Sequence, residues 1–82
     1  MNDFHYVYRL RSLSCPNESY TGLTNDLKAR RQKHNEGGCT HTAEFRPWQI
    51  ESYHAFQNRE KAAAFELYLK SGSGREFARR HF

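Results

Sequence analysis

Arg30 and His34 are a pair of side chains whose types and spacing could do chemistry. They lie four residues apart in the stretch SYTGLTNDLKARRQKHN, residues 19–35, and in a helix that separation puts both on one face. Leu27 precedes Arg30 by three residues and turns the same face partly toward the interior. A guanidinium at the edge of a core needs an anion, and a phosphate fits because arginine can bind two of its oxygens. A solvated arginine and a surface histidine are the plainer interpretation.

Glu66 is the second candidate, because it is the only acidic residue between Glu60 and Glu76. It lies in an alanine- and leucine-rich helical stretch, so its carboxylate needs a partner. Carboxylate oxygen suits Mg²⁺. An ion pair with Lys70, four residues later, is the simpler alternative, and periodicity alone favours it.

Tyrosines are the third group. Tyr6 and Tyr8 share one face of a predicted strand, and Tyr20 lies in the next strand with Gly22 two residues later. Strand tyrosines usually serve packing, whereas a strand glycine can mark a close backbone approach to a ligand. A tyrosine pair, an arginine, a histidine and one carboxylate together suit phosphodiester hydrolysis with one metal ion.

The first half of the chain must position most of these residues. Residues 4–11 alternate with a period of two and predict a strand. A serine-rich turn follows, and residues 20–23 predict a second strand that pairs with the first as a hairpin. Asn25 is a good N-cap for a helix that should end near Asn35, before two glycines.

The second half predicts one further strand and two helices. Residues 39–46 are polar and irregular, and Pro47 should start a strand over residues 48–56. Asn58 should cap a strong helix that Gly72 ends. Ser73, with Glu76 three residues later, predicts the cap of a short last helix, with Phe77 and Phe82 turned inward. The order β-β-α-β-α-α indicates a single α+β domain, residues 1–82, whose sheet is covered by helices.

Composition narrows the class of protein. The chain has 82 residues and a net charge of +4, with a pI of about 9.3, which favours polyanions such as nucleic acid. Cys15 and Cys39 form no CxxC pair, so reduced thiols in a cytoplasmic protein are expected. The N-terminus does not resemble a signal peptide, and no apolar run is long enough to span a membrane.

The sequence resembles the GIY-YIG nuclease family over nearly its whole length. YVY at residues 6–8 and YTG at residues 20–22 are similar to the two signature segments. TNDLKARRQKHN resembles the family's next segment, in which an arginine precedes a histidine by four. FELYLKSGSGREF resembles its glutamate helix. The likeness is closest to small stand-alone bacterial members and implies a three-stranded antiparallel sheet flanked by helices.

The resemblance also implies roles for single residues. Tyr8 falls on the tyrosine proposed as general base, and Tyr20 on the one that orients the water or the phosphate. Arg30 falls on the arginine that stabilises the transition state, and His34 on a histidine that serves as a hydrogen-bond partner or alternative base. Glu66 falls on the single carboxylate that binds Mg²⁺ or Mn²⁺. Gly22 is the glycine of the second signature, where the backbone lies close to the site.

Three departures accompany the resemblance. Tyr6 stands where the family name has glycine, and Thr21 stands where it has isoleucine. The asparagine that some members carry after the glutamate is absent from residues 71–82, so phosphate contact would pass to Lys70 or Arg75.

The resemblance predicts a DNA endonuclease that selects structure more than sequence, because no recognition helix is evident. A nucleic-acid-binding module with little turnover is the first alternative. A zinc protein is the second, with a ligand set that matches no standard finger: Cys15, Cys39, His34 and His41. Whether a partner protein supplies targeting, whether branched or flapped DNA is the substrate, and what the oligomeric state is are left open by the sequence.

Overall fold

A computed structural model describes residues 4–82 and places them in a three-stranded sheet with helices on both faces. The predicted domain starts at residue 1, and its first three residues lie outside the described range. The elements are β1 (His5–Ser12), β2 (Ser19–Thr24), α1 (Leu27–Asn35), α2 (Thr40–Ala43), β3 (Trp48–Phe56), α3 (Arg59–Lys70) and α4 (Gly72–His81).

β1 is the middle strand of the sheet. The strand order is β2-β1-β3, and both neighbours run antiparallel to β1. Tyr8 therefore has a partner on each side, Gly22 in β2 and Tyr53 in β3. The antiparallel three-stranded sheet and the α+β class agree with the predicted architecture.

Alternation along β1 divides the core between the two faces of the sheet, since successive side chains point to opposite faces. Val7 packs with Ala62 and Leu69 of α3. Tyr8 and Leu10 pack on the other face with Trp48, and Leu27 of α1 lies against that cluster. Helix α3 thus covers one face, and α1 borders the other.

The short helix α2 was not predicted, because residues 39–46 read as irregular. It is a single turn, in which the backbone N–H groups of Thr42 and Ala43 donate to the Cys39 carbonyl at 3.2 and 3.0 Å. One turn is too short to leave a periodic pattern of apolar residues. The observed order is therefore β-β-α-α-β-α-α.

Two predicted helix caps are wrong by one or two residues. Asp26, not Asn25, caps α1: its backbone is extended and its carboxylate accepts from the Ala29 N–H at 3.1 Å. Ser71, not Ser73, caps α4 by accepting from the Gly74 N–H at 3.2 Å. Ser71 also ends α3, so Gly72 is already the first residue of the last helix.

The last helix folds back onto the end of α3. A Cβ atom at Gly74 would lie 2.6 Å from the Leu69 Cα, so only glycine permits this approach. Phe77 and Phe82 pack against the Val7 cluster, as predicted. Within residues 4–82, no helix is long and apolar enough to cross a membrane.

Candidate active site

Tyr8 reaches across its neighbouring strand because Gly22 has no side chain. Gly22 is the β2 partner of Tyr8, and a Cβ atom built on it would lie 2.6 Å from the Tyr8 Cζ. That distance is far below van der Waals contact. The phenol therefore occupies the place of a side chain at Gly22, and the Gly22 backbone lies close to the site, as the resemblance implies.

The Tyr8 hydroxyl is the first member of a buried hydrogen-bond chain. It lies 3.0 Å from His34 Nε2, and His34 Nδ1 lies 2.7 Å from the hydroxyl oxygen of Thr42. Tyr8, His34 and Thr42 are each only 1% exposed. His34 is thus an interior residue of the site, and the expectation of a surface histidine is wrong.

Arg30 is half-buried. Its guanidinium acts to lower the pKa of Tyr8, so the i, i+4 spacing does bring Arg30 and His34 near one group. Arg30 also lines a recess of about 230 Å³ at the end of β2, together with Arg59 from the start of α3. Two guanidinium groups at one recess suit a phosphate anion. Arg59 was not singled out from the sequence, because a charged first-turn residue looks like an ordinary exposed helix position.

Burial sets the protonation states of the tyrosine and the histidine. Desolvation, followed by the neighbouring Tyr20, raises the pKa of Tyr8 to about 12, although the Arg30 guanidinium acts in the opposite direction. Desolvation also lowers the pKa of His34, and the charges of Arg30 and Lys33 lower it further. Both groups are therefore neutral at neutral pH. The phenol keeps its proton, and one imidazole nitrogen is unprotonated and can accept a hydrogen bond.

Tyr20, on β2, packs its ring against the rings of His34 and Tyr8. Its ring centroid lies 4.9 Å from that of His34 and 6.2 Å from that of Tyr8. Tyr20 is half-buried and is also one of the residues that line a groove of about 590 Å³ between β2 and α4. Tyr20 thus joins the buried cluster to a solvent-accessible surface.

Glu66 lies on α3, which covers the opposite face of the sheet from His34. It shares a helical stripe with Ala62 and Leu69, and its Oε2 atom lies 3.1 Å from the Lys70 Nζ. The simpler alternative, an i, i+4 ion pair, is therefore present. The carboxylate side chain is 20% exposed, so water and a cation can still reach it.

A single carboxylate is compatible with Mg²⁺, which keeps several water ligands and commonly takes one or two carboxylates plus substrate phosphate. Among residues 4–82, no group of three or more His, Cys, Asp or Glu side chains is arranged to hold a metal ion. The zinc set of Cys15, Cys39, His34 and His41 is consequently not assembled. His34 instead uses its two nitrogens on Tyr8 and Thr42.

Lys70 and Arg75, the predicted phosphate contacts, both line the groove beside Tyr20. Both are exposed. Arg79 lines it as well, but bonds Glu76 at 2.6 Å, and Arg80 bonds the same carboxylate at 3.1 Å. The groove is therefore basic at its α4 wall, with part of that charge already paired.

Sequence reasoning missed Thr42 and Asn35, which hold His34 and its helix in place. The Asn35 side chain accepts from the Trp48 N–H at 2.6 Å and donates to the Trp48 carbonyl at 3.1 Å. The indole N–H of Trp48 in turn donates to the Thr42 carbonyl at 2.8 Å. These contacts link α1, α2 and β3, and neither residue type signals such a role in a single sequence.

A phenol, an imidazole and a guanidinium gathered over the middle strand of a β2-β1-β3 sheet place this chain in the class of small nuclease domains. The chain belongs to the GIY-YIG family: residues 4–80 match the sequence model described as the GIY-YIG catalytic domain. The family is one of endonucleases, so the class of activity is phosphodiester hydrolysis. The predicted family is thereby confirmed.

Individual relatives agree with this assignment. A UPF0213 protein of Haloquadratum walsbyi is 40% identical over 73 residues, covering 87% of this chain and 79% of the relative. A UPF0213 protein of Clostridium perfringens is 38% identical over 68 residues, covering 80% and 70%. The structure-specific endonuclease subunit SLX1 of Mycosarcoma maydis is 36% identical over 67 residues, which are 77% of this chain but 10% of that protein.

Proposed function

We propose that this protein is a metal-dependent endonuclease that hydrolyses phosphodiester bonds of DNA. The observation that carries the proposal is the 3.0 Å contact of the Tyr8 hydroxyl with the buried imidazole of His34, in the electrostatic reach of the Arg30 guanidinium. A buried phenol that contacts a base near a cation is suited to move a proton next to a developing negative charge.

The protonation states suggest a relay through Tyr8. A phenol with a pKa of about 12 is too weakly acidic to lose its proton to solvent at neutral pH. His34 Nε2, at 3.0 Å, can accept that proton while the phenol oxygen takes one from the attacking water. One water O–H bond breaks, the Tyr8 O–H bond is replaced, an N–H bond forms on His34, and the hydroxide attacks phosphorus. Tyr8, which is 1% exposed, would then take its proton from a water admitted with the substrate, and His34 would be the final acceptor.

Arg30 would stabilise the charge that builds on the phosphate oxygens. It is half-buried beside Tyr8 and faces the recess that it shares with Arg59. A preorganised cation in a partly desolvated site is worth more in the transition state than in water. Tyr20, against the His34 ring, would orient the water or the phosphate.

Glu66 is proposed to hold the divalent cation, Mg²⁺ or Mn²⁺. When bound, the cation would supply positive charge to the phosphate, which would lie at the end of β2, where Arg30 and Arg59 of α3 line one recess. The carboxylate would then exchange its 3.1 Å contact with Lys70 for the metal, which leaves the lysine available to a substrate phosphate. Lys70 would in that case belong to the nucleic-acid surface rather than to the metal site.

The groove beside Tyr20 is proposed to carry the nucleic-acid backbone. Lys70 and Arg75 line it, and the net charge of +4 favours a polyanion. Selection of branched or flapped DNA is supported by the likeness to SLX1, whose name describes a structure-specific endonuclease subunit. A cytoplasmic location and a separate targeting partner remain predictions that fit the free thiols of Cys15 and Cys39 and the small size of the domain.

A cleavage assay tests the proposal. Labelled duplex, single-stranded, flapped and branched DNA would be incubated with Mg²⁺ or Mn²⁺, or with EDTA. Glu66→Gln is compared with the wild type and with Glu60→Gln, which changes an exposed acid on the same helix. We expect cutting that needs metal, that is retained in Glu60→Gln and that is lost in Glu66→Gln. Binding without cutting on every substrate would favour the binding module, and a Glu66→Gln variant as active as the wild type would remove the metal role.

A further inference from the structure

Thr42 lies at the far end of the hydrogen-bond chain that starts at Tyr8. Its side chain is 1% exposed, and its hydroxyl oxygen lies 2.7 Å from His34 Nδ1 and 3.3 Å from the Cys39 carbonyl oxygen. The Thr42 carbonyl is held separately by the indole N–H of Trp48 at 2.8 Å. The hydroxyl therefore has two neighbours, of which only the imidazole can donate to it.

The direction of each hydrogen bond follows from counting protons. The Cys39 carbonyl can only accept, so the Thr42 hydroxyl donates to it and accepts from His34 Nδ1–H. The other ring nitrogen then carries a lone pair and accepts from the Tyr8 hydroxyl. In this arrangement every proton of the chain has an acceptor.

The opposite tautomer leaves a buried donor without a partner. If His34 carried its proton on Nε2, the Tyr8 oxygen would accept that proton. The phenol proton would then point away from the imidazole that is its acceptor in the chain. A buried donor without a partner has given up its hydrogen bond to water with nothing in exchange, and this favours the Nδ1–H tautomer.

We propose that Thr42 is a positioning residue that fixes the His34 tautomer with the lone pair toward Tyr8. Thr42 contacts no reacting atom, and the catalytic part of this inference rests on the proposed function. The relay requires an unprotonated His34 Nε2. Thr42 favours that state because its hydroxyl accepts a hydrogen bond from Nδ1–H. When His34 becomes an imidazolium, Thr42 still accepts from Nδ1–H, and so the ring keeps its orientation throughout the transfer.

The first test is independent of catalysis. Two-dimensional ¹⁵N–¹H NMR of ¹⁵N-histidine-labelled protein distinguishes the two tautomers, and His34→Gln identifies the His34 signals by their loss. In the wild type at pH 7.5 we expect the Nδ1–H form. In Thr42→Val, which keeps the shape and removes the hydroxyl, we expect a shift toward Nε2–H. Thr42→Ser, which keeps the hydroxyl, should retain the wild-type pattern.

Two results would overturn the inference. One is a wild-type His34 protonated on Nε2, a measurement that needs no variant to fold. The other is a folded Thr42→Val, with the Trp48 fluorescence of the wild type, that keeps the Nδ1–H tautomer. Either result would overturn the inference whether or not the protein cleaves DNA.

The second test measures the consequence for turnover. Thr42→Val should lower kcat by about tenfold or more with little change in KM, a part of the 10²–10⁴-fold that a positioned base typically contributes. Thr42→Ser should restore most of the rate. If the wild type is inactive, the proposed function fails while the tautomer result still stands. If Thr42→Val shifts the tautomer and turns over normally, Thr42 has no positioning role in the reaction.

Discussion

Gly22 and Tyr8 are paired residues in neighbouring strands, and the space that the glycine leaves empty is filled by the phenol ring. A Cβ atom at Gly22 would lie 2.6 Å from the Tyr8 Cζ. The hydroxyl end of the ring lies 3.0 Å from His34 Nε2, so the contact between β1 and α1 depends on the absence of a side chain at Gly22. The glycine of the signature therefore acts through the placement of a neighbouring side chain and not through an unusual backbone angle.

Gly22→Ala should displace the Tyr8 ring and break its contact with His34. Overpacking of this kind typically costs 1–3 kcal/mol, and we expect a loss of about that size in the free energy of unfolding, measured by urea titration. Cleavage should fall more steeply than stability, because the hydroxyl moves away from its acceptor. Chemical shifts of the His34 ring would report the broken contact directly.

Gly72→Ala is the matched control. A Cβ atom at that exposed position meets no atom within 4 Å, so stability and cleavage should stay close to those of the wild type. If Gly22→Ala behaved in the same way as Gly72→Ala, the close approach of the phenol would have no functional consequence.

The raised pKa of Tyr8 predicts a loss of stability at alkaline pH. Because the folded-state pKa of about 12 lies above the ordinary value of 10, the folded state holds the phenol proton more tightly than the unfolded chain does. That contribution is fully present below pH 10 and is lost as the pH rises to 12. The difference corresponds to roughly 3 kcal/mol.

Comparison with Tyr8→Phe isolates this contribution. The variant cannot titrate at position 8, so its free energy of unfolding should fall less between pH 9 and 12 than that of the wild type. Tyr53→Phe, at a tyrosine that is 54% exposed, should follow the wild type. Parallel curves for wild type and Tyr8→Phe would contradict the prediction.

Much of the scaffold could be predicted from local pattern. The alternation of β1 and the propensity of residues 59–70 identify their elements, and residues 48–56 are a strand as expected. The errors occur at caps, since Asn25 and Asp26 are both good cap residues and only the backbone geometry selects Asp26. The single turn of α2 is set by the Cys39 carbonyl, and such a contact leaves no periodicity.

The site is harder to predict than the scaffold, because it depends on contacts between distant residues. Spacing places Arg30 and His34 on one face, but the burial of His34 results from packing against Tyr8, Tyr20 and Thr42. Thr42 lies in a stretch that reads as a loop, so nothing in a single sequence distinguishes it from an exposed threonine. The resemblance is what marks Glu66 as a candidate metal ligand. Its ion pair with Lys70, in contrast, can be predicted from helix spacing alone.

Arg75 should contribute to DNA affinity through a phosphate contact. It is exposed on the groove wall, and each phosphate contact to duplex DNA contributes about 0.9 to the slope of log affinity against log salt. Arg75→Gln should reduce that slope by roughly this amount, as measured by fluorescence anisotropy in EDTA to prevent cleavage.

Arg31→Gln is the control for charge alone, since it removes the same charge from an exposed site on α1. Its slope should match that of the wild type. An equal effect in both variants would mean that the overall charge acts and that the groove has no special part. No effect in either would indicate that the α4 arginines are merely solvated.

His34 should set the acid limb of the pH–rate profile. The imidazole must be neutral to accept a proton, and its pKa lies below the ordinary value of 6.5 because of burial, then Arg30 and Lys33. The other titratable groups around the site are Tyr8, Tyr20 and Cys39. The rate should therefore be level above pH 6.5 and fall only as the pH drops through the lowered pKa of His34.

Lys33→Gln provides a directional test of that assignment. Removal of its positive charge should raise the pKa of His34 toward 6.5, so the acid limb should move to higher pH, and an NMR titration of His34 should move with it. Lys28→Gln removes the same charge from an exposed position near the start of α1 and should leave the limb in place. An acid limb above pH 6.5 in the wild type, or a limb that does not follow the His34 titration in Lys33→Gln, would show that another group receives the proton.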